Sequence, residues 1–403
     1  MGKLFEETAE KFKSSVMPTY APQIMFVRGK DARLWDDDGN EYLDFAAGIA
    51  VCSLGHCNER VTRAIQDQCA KLVHISNLYM NELMPKLAEK LVAESFGKGG
   101  KAFFCNSGAE ANEGMIKLAR KYGNKTGRNH IISMDNSFHG RTLATLAATG
   151  RAKYRKGFEP DMPGFSQVPF NDIEALKAAV TPDTCAIMLE MLQGEGGVFP
   201  ADVEYLKAIR ALCNEKDILL LCDEVQCGMG RLGTRFAYQK FGVEPDIVSL
   251  AKAIANGFPM GAIIAGKKCA DVFEVGNHAS TFGGTPLACA AALAVQDAFD
   301  HDGVLENCEK EGEFLKSELS KLAEKYSFVK TVRGMGLMIG MVLDRPAGGL
   351  ASLLLKDKMV ALTAGETVLR LVPPLTITRA DSQLAVYKIA KALADFAKQE
   401  GLQ

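Results

Sequence analysis

The sequence predicts an α/β fold built on a mainly parallel sheet, followed by a smaller α+β unit. Three observations carry that expectation. Short apolar runs alternate with helical periodicity between residues 101 and 265, and such alternation argues for a parallel sheet covered on both faces. From about residue 303 the texture changes to a charged helix, strand-like pairs and a terminal helix. A chain of 403 residues also exceeds what one simple core holds.

Taken in order, residues 1–30 read as a helical start and then an irregular arm through Pro18 and Pro22. Asp38-Gly39-Asn40 is a hairpin turn signal between strands at 32–35 and 41–45. Residues 48–55 form an apolar, glycine-bounded loop, and 58–74 and 82–95 carry helical periodicity. A strand at 101–105 runs through Asn106-Ser107-Gly108 into a helix at 109–122. Strands follow at 130–134, 185–190, 218–222, 246–250 and 260–265, with helices near 141–148, 202–215 and 234–241. Pro286 suits the first position of a long Ala-rich helix, 286–299. Beyond it come a helix at 305–325, strands at 329–333 and 337–343, a helix at 348–357, a strand at 368–372 and a helix at 380–398. The expected division is an arm with short strands at 1–50 that belongs with the small domain, a large domain at 51–290, and the small domain proper at 291–403.

Hydrophobic content of 47% and charged content of 24% suit a soluble globular enzyme. A net charge of −2 gives no electrostatic reason to expect nucleic acid or a membrane as partner. The 11 cysteines are odd in number and none forms a C-x-x-C pair. They read as buried free thiols in a reducing cytosol, not as a zinc site, so no metal is expected. The polar, acid-bearing start is no signal peptide. No apolar run approaches the ~18 residues of a membrane span, and the expected location is the cytoplasm.

Chemistry concentrates at two run ends. Ile218-Leu219-Leu220-Leu221-Cys222 stops at Asp223-Glu224-Val225-Gln226, and Ile247-Val248-Ser249-Leu250-Ala251 stops at Lys252. In open α/β sheets that edge binds ligands. A carboxylate and an amine delivered there suit pyridoxal phosphate, which a lysine holds covalently while an acid pairs with its ring nitrogen. Asn106-Ser107-Gly108-Ala109 offers backbone N–H groups at a helix start, a natural phosphate site, although an ordinary serine cap reads the same way. Phe138 and Arg141 lie after the strand at 130–134, where an aromatic face and a bidentate carboxylate clamp would be useful. Glu190 and Glu195 follow another strand and must be paired or wet. Gly228-Met229-Gly230-Arg231-Leu232-Gly233 matches a dinucleotide fingerprint, but Asp-Glu-Val-Gln separates it from its strand. Ser280-Thr281-Phe282-Gly283-Gly284-Thr285 is a polar loop able to bind more of a phosphate, and Arg370 sits inside a short apolar run.

Together these motifs resemble the class III (subgroup II) pyridoxal-phosphate aminotransferases. The resemblance runs from Trp35-Asp36-Asp37-Asp38-Gly39-Asn40 to Leu369-Arg370-Leu371-Val372-Pro373-Pro374. It rests on Asp223-Glu224-Val225-Gln226, on Lys252 29 residues after Asp223, and on Thr281-Phe282-Gly283-Gly284. Within the class, Ser76-Asn77-Leu78-Tyr79, Phe104-Cys105-Asn106-Ser107-Gly108-Ala109 and Ser137-Phe138-His139-Gly140-Arg141-Thr142 are most similar to the acetylornithine aminotransferase subgroup. Cys57-Asn58-Glu59, Met191, Cys227 and Leu232 depart from the usual pattern without removing a reacting group.

The resemblance implies fold type I with a seven-stranded sheet, and pyridoxal phosphate as cofactor. It implies that Lys252 carries the cofactor, Asp223 pairs with its ring nitrogen and Gln226 with its phenolic oxygen. Phe138 and Val225 then flank the ring. Ser107, Gly108 and Ala109 hold the phosphate with Thr281 of a second subunit, so a homodimer is expected. Ser280, Arg141, Glu195 and Arg370 would handle the substrates N2-acetylornithine and 2-oxoglutarate, with Glu195 masking Arg370. An aliphatic Ile49, where ornithine aminotransferases carry tyrosine, leaves apolar room. Other ω-amine donors of the same class, a PLP-binding protein without turnover, and an NAD-dependent dehydrogenase through Gly228–Gly233 are the competing readings.

Overall fold

The computed structural model describes residues 3–401. A mixed seven-stranded sheet forms its centre: β1 (Lys101–Cys105), β2 (His130–Met134), β3 (Phe165–Val168), β4 (Thr184–Leu189), β5 (Leu219–Asp223), β6 (Ile247–Leu250) and β7 (Gly261–Ala265). The spatial order is β1-β7-β6-β5-β4-β2-β3. Strands β2 to β6 pair in parallel, and β7 runs antiparallel to both β6 and β1.

The apolar runs are continuous because both faces are covered. Successive side chains of a strand point to opposite faces. Leu219 and Leu221 accordingly join one buried cluster, with Ala111, Met115 and Leu118 of the helix Gly108–Asn124. Leu220 and Cys222 join another, with Leu206, Ile209 and Cys213 of the helix Val203–Lys216. Each buried leucine contributes about 1.5–3 kcal/mol, so β5 is among the best anchored strands, and Asp223 is its last residue.

Two smaller sheets flank this centre. Phe26–Lys30, Arg33–Asp36 and Glu41–Asp44 form an antiparallel set. Met359–Val360, from the far end of the chain, adds in parallel beside Glu41–Asp44. Val329–Met335, Met338–Leu343, Val368–Leu371 and Leu362–Ala364 form the other antiparallel sheet, backed by the helix Val304–Ala323. Among the described residues no helix is long and apolar enough to cross a membrane.

Several expectations need correction. The arm at 1–30 is not irregular throughout, because Phe26–Lys30 is an edge strand. The helix expected at 58–74 ends at Cys69, and that at 234–241 begins only at Ala237. Strand β3 and the helix Ile173–Ala179 lie where the sequence showed no pattern. The glycines at 228–233 open no helix. Gly230 and Gly233 take positive φ in turns whose N–H groups are satisfied locally, Gly233 N donating to Gly230 O at 3.0 Å. Arg231 within them is fully buried and donates to Leu337 O, Pro373 O and Ser53 Oγ, so this loop ties three parts of the chain together. Eight of the 11 cysteines are buried, as expected; Cys52, Cys57 and Cys69 are not.

Glu224, next to Asp223, is also buried. Its carboxylate accepts from Ala237 N at 2.6 Å and Tyr238 N at 2.7 Å, at the start of the helix Ala237–Phe241. Burial pushes this carboxyl up to about 7. Removing it strands two buried N–H groups at about 1–3 kcal/mol each. Glu224→Ala is therefore expected to lower the unfolding free energy by about 2–4 kcal/mol, read from the urea midpoint. A wild-type midpoint would show that those groups find other partners.

Candidate active site

A cavity of about 380 Å³ opens at the carboxyl edge of β2, β4, β5 and β6. Ser107, Gly108, Ala109, Phe138, Arg141, Glu195, Asp223, Val225, Gln226 and Lys252 all line it. Residues expected at the site from five separate stretches of sequence are thus brought together.

Asp223 is 3% exposed. Its Oδ2 accepts from Asn112 Nδ2 at 2.7 Å and faces His139 Nδ1 at 2.8 Å, and its Oδ1 accepts from Val225 N at 3.0 Å. Asn112 is itself fixed, since Ser249 Oγ donates to its Oδ1 at 2.6 Å and its Nδ2 also reaches His139 O. Lys252 follows β6 by two residues and opens the short 3₁₀ turn Lys252–Ala255 with φ +48°. Desolvation lowers its amine from the usual lysine value, against the opposing pull of Glu195 and Asp223, so the neutral form is favoured more than on an ordinary lysine.

Ser107 caps the helix Gly108–Asn124, its Oγ accepting from Glu110 N at 3.2 Å. The first N–H groups of a helix lack intrahelical partners and attract anions, and Gly108 and Ala109 supply them beside the cavity. A Cβ on Gly108 would lie 2.7 Å from Val225 Cγ1, so glycine is needed for that approach.

Arg370, 3% exposed, approaches the cavity residues Glu195 and Gln226 from the strand Val368–Leu371. Its Nη1 donates to Glu195 Oε1 at 2.5 Å and to Gln226 Oε1 at 2.8 Å, and Gln226 Nε2 donates to Glu195 Oε1 at 3.3 Å. Burial alone would raise the Glu195 carboxyl, but the Arg370 charge beside it holds it below the usual range. Arg141 is exposed and has no carboxylate partner among the described residues. Its guanidinium lies 4.0 Å from the Tyr154 ring centroid and 5.5 Å from that of Phe138. Ser280 does not line the cavity but accepts from Asn106 Nδ2 at 3.1 Å through its Oγ, and Thr281 lies exposed outside it.

Tyr154 and Asn112 were not picked out from sequence, whereas Glu190 was marked there as an acid that must be paired or wet. Tyr154 stands edge-on to Phe138, with centroids 6.0 Å apart, and receives Arg151 Nη1 on its hydroxyl at 3.0 Å. Nothing around it in the sequence marks a site. Asn112 sits on the helix Gly108–Asn124. Glu190 is buried and accepts from Phe138 N and Gly194 N, both at 3.0 Å. Burial first, then the Asp223 charge, push it up to about 7.

The family model for class-III aminotransferases matches residues 16–393. An acetylornithine aminotransferase of Caldanaerobacter subterraneus is 50% identical over 95% of this chain and 98% of its own. That of Methanocaldococcus jannaschii is 50% identical over 88% and 90%. Among solved structures, the N-acetylornithine aminotransferase of Stenotrophomonas maltophilia is 38% identical, with a TM-score of 0.83 over 94% of this chain and 98% of its own. The ornithine aminotransferase of Toxoplasma gondii is 31% identical, with a TM-score of 0.94 over 98% and 96%. The chain belongs to the class-III aminotransferase family.

Because Arg370 depresses the Glu195 carboxyl, the pair stabilises the fold above the unfolded glutamate value of ~4.3, and that contribution fades as pH falls through the lower folded value. Wild type should therefore exceed Glu195→Gln in denaturant stability above about pH 5, with the gap closing toward about pH 3. A gap that persists unchanged in acid would assign it to shape and not to charge.

Proposed function

We propose that the protein transfers the δ-amino group of N2-acetyl-L-ornithine to 2-oxoglutarate, giving N-acetyl-L-glutamate 5-semialdehyde and L-glutamate. The observation that carries this reading is one cavity lined by Lys252, Asp223 and Glu195, with Glu195 bonded to the buried Arg370. High identity to acetylornithine aminotransferases along nearly the whole chain supports the same donor.

The residues suit pyridoxal phosphate. Asp223 supplies a fixed carboxylate for the ring nitrogen, Phe138 and Val225 apolar walls, Gln226 a polar group for the phenolic oxygen, and Lys252 the amine that takes covalent hold. Ser107, Gly108 and Ala109 offer the phosphate a helix start. When bound, this cofactor supplies an electron sink that stabilises a carbanion beside the amine nitrogen.

Each side chain then has one task. His139 and Asn112 hold Asp223 in place. Lys252, its uncharged form favoured by the cavity, removes a proton from the δ-carbon of the donor and returns it as the acceptor is converted. Arg141 grips the carboxylate far from the reacting nitrogen, its guanidinium steadied by Tyr154. Glu195 covers Arg370 while the donor is bound and releases it to take the α-carboxylate of 2-oxoglutarate. One site thereby accepts a long mono-acid and a short di-acid in turn.

The working unit is a homodimer in the cytoplasm, with Thr281 completing the neighbour's phosphate site and Ser280 near its substrate. Support comes from apolar residues left bare beside this loop: Leu78 is 86% exposed, Met80 94% and Phe282 59%. Asn77 Nδ2 ties their segment to the loop through Gly283 O at 2.8 Å. Residues 51–290 form the cofactor domain, and 291–403, joined by the first 50, the small domain. The fold shared with ornithine aminotransferases keeps free ornithine as a second donor to test; the aliphatic Ile49 favours the acylated one.

Lys252→Ala is expected to lose about 10³-fold or more in turnover, together with the visible absorbance of the bound cofactor, while far-UV circular dichroism stays unchanged. An active variant would overturn the assignment. In a panel of acetylornithine, succinylornithine, ornithine and 4-aminobutyrate with 2-oxoglutarate, acetylornithine should give the highest kcat/KM. Glu195→Gln should shift preference toward ordinary α-amino acids by about tenfold, or ~1.4 kcal/mol. An unchanged ratio would remove Glu195 from the switch.

A further inference from the structure

We infer that Arg151 is a positioning residue for the amino transfer. From outside the cavity it holds both carboxylate-handling ends of the site: Tyr154 under Arg141, and the backbone of Glu195 beside Arg370. The inference rests on the roles proposed above for Arg141, Glu195 and Arg370.

The Arg151 guanidinium is divided between the two ends. Its Nη1 donates to the Tyr154 hydroxyl at 3.0 Å, and its Nη2 donates to Glu195 O at 2.6 Å. The Tyr154 ring carries the Arg141 guanidinium 4.0 Å from its centroid. The Glu195 carboxylate takes Arg370 Nη1. A continuous series of contacts therefore runs from Arg141 through Tyr154, Arg151 and Glu195 to Arg370. A planar fork serves two fixed acceptors at once, which a compact ammonium does not. Arg151 and Tyr154 are half-buried and neither lines the cavity, so they act on substrate through Arg141 and Glu195.

The fork has a fixed base. Arg151 precedes the short helix Ala152–Arg155, and Tyr154 N donates to Arg151 O at 3.0 Å, which turns the ring back toward the guanidinium. Gly150 O accepts from Asn136 N at 2.9 Å, and Gly150 N donates to Ser137 Oγ at 3.0 Å. Arg155 Nη1 donates to Thr149 O at 2.9 Å and to Gln167 Oε1 of β3 at 3.1 Å. The turn is thus bound to the segment that delivers Phe138 and Arg141.

The far end of the fork is a pivot. Glu195 O also accepts from Gly365 N at 3.1 Å, in the connection leading to the strand Val368–Leu371. A Cβ on Gly365 would lie 3.9 Å from Arg151 Nη2, so the guanidinium rests against that connection. The Glu195 carbonyl is anchored from both halves of the chain, while its carboxylate is held by Arg370 and Gln226. A ligand carboxylate competing for Arg370 can then swing the Glu195 side chain about a fixed backbone. Without Arg151 the backbone shifts with the side chain, and Arg141 loses the tie that steadies the ring beneath it.

The test is steady-state kinetics of the holoenzyme. Arg151→Gln should raise KM for 2-oxoglutarate about tenfold with kcat within about twofold of wild type, and the visible absorbance of the bound cofactor should not change. On a Glu195→Gln background the same substitution should change that KM by less than about twofold, because the two residues act in series. Tyr154→Phe keeps the ring under Arg141 and removes the acceptor for Arg151; it should raise KM for both substrates about threefold, and it decides the matter if Arg151→Gln does not fold. A wild-type KM in Arg151→Gln or in Tyr154→Phe, a rise of equal size on both backgrounds, or a fall in kcat with loss of cofactor absorbance at unchanged KM overturns the inference. Glu195→Gln alone separates the two failures. If it leaves substrate preference unchanged, the proposed switch fails; if it acts while Arg151→Gln does not, the role of Arg151 fails.

Discussion

Charges taken out of water must be paired or hydrogen-bonded, and that constraint organises the carboxyl edge of the large sheet. Three acids sit there almost without solvent: Glu190, Asp223 and Glu224. Each accepts from at least one backbone N–H group outside its own strand. Asp223 holds Val225, Glu190 holds Phe138 and Gly194, and Glu224 holds Ala237 and Tyr238. Through Val225 and Phe138, Asp223 and Glu190 fix two of the loops that line the cavity. A site built this way needs little rearrangement to receive a charged ring, since its dipoles are already aimed.

The same constraint joins the two halves of the chain. The loop after β4 carries Glu195, whose partner Arg370 belongs to the C-terminal sheet. Two residues on, Gly197 O accepts from Arg333 Nε at 3.1 Å and Nη2 at 2.8 Å, from the edge strand of that sheet. Gly340 opposite Arg370 leaves room for the approach, because a Cβ there would meet Val198 Cβ at 2.9 Å. Glu195 and Gln226 thus share one guanidinium across the junction. A ligand carboxylate taking Arg370 Nη1 would compete with Glu195, and that competition is what the proposed switch between two substrates requires.

Legibility from sequence followed the strength of the pattern. Strands buried on both faces, such as β5 and β6, are continuous apolar runs and stood out. Edge elements did not: Phe26–Lys30 is mostly exposed and includes Gly29, and β3 is four residues long after Pro163-Gly164. Asp223, Lys252 and Ser107 were legible because they punctuate strands. Tyr154, in a helix of four residues, has no such context, and its value lies in contacts with Arg141 and Phe138 from another stretch. Arg370 and Glu195 were each readable as a charge in an odd place. Only the fold shows them on each other.

The least legible part of the site is backbone. Ala47, Gly48, Ile49 and Ala50 all have positive φ, between +48° and +68°. A left-handed conformation costs L-residues roughly 1–2 kcal/mol each, so this turn persists because its surroundings over-determine it. Ile49 N and Ala50 N donate to Ala46 O, and Val51 N and Cys52 N to Ala47 O, at 2.8–2.9 Å. Asp44, braced by His56, holds the N–H groups of Ala46 and Ala47. Only Gly48 signals any of this in the sequence, where the segment reads as an apolar loop. Yet the turn decides where Val51, which lines the cavity, stands. A relaxed turn would move Val51, so the shape of the cavity wall depends on the Asp44–His56 brace as well as on the side chains that line it.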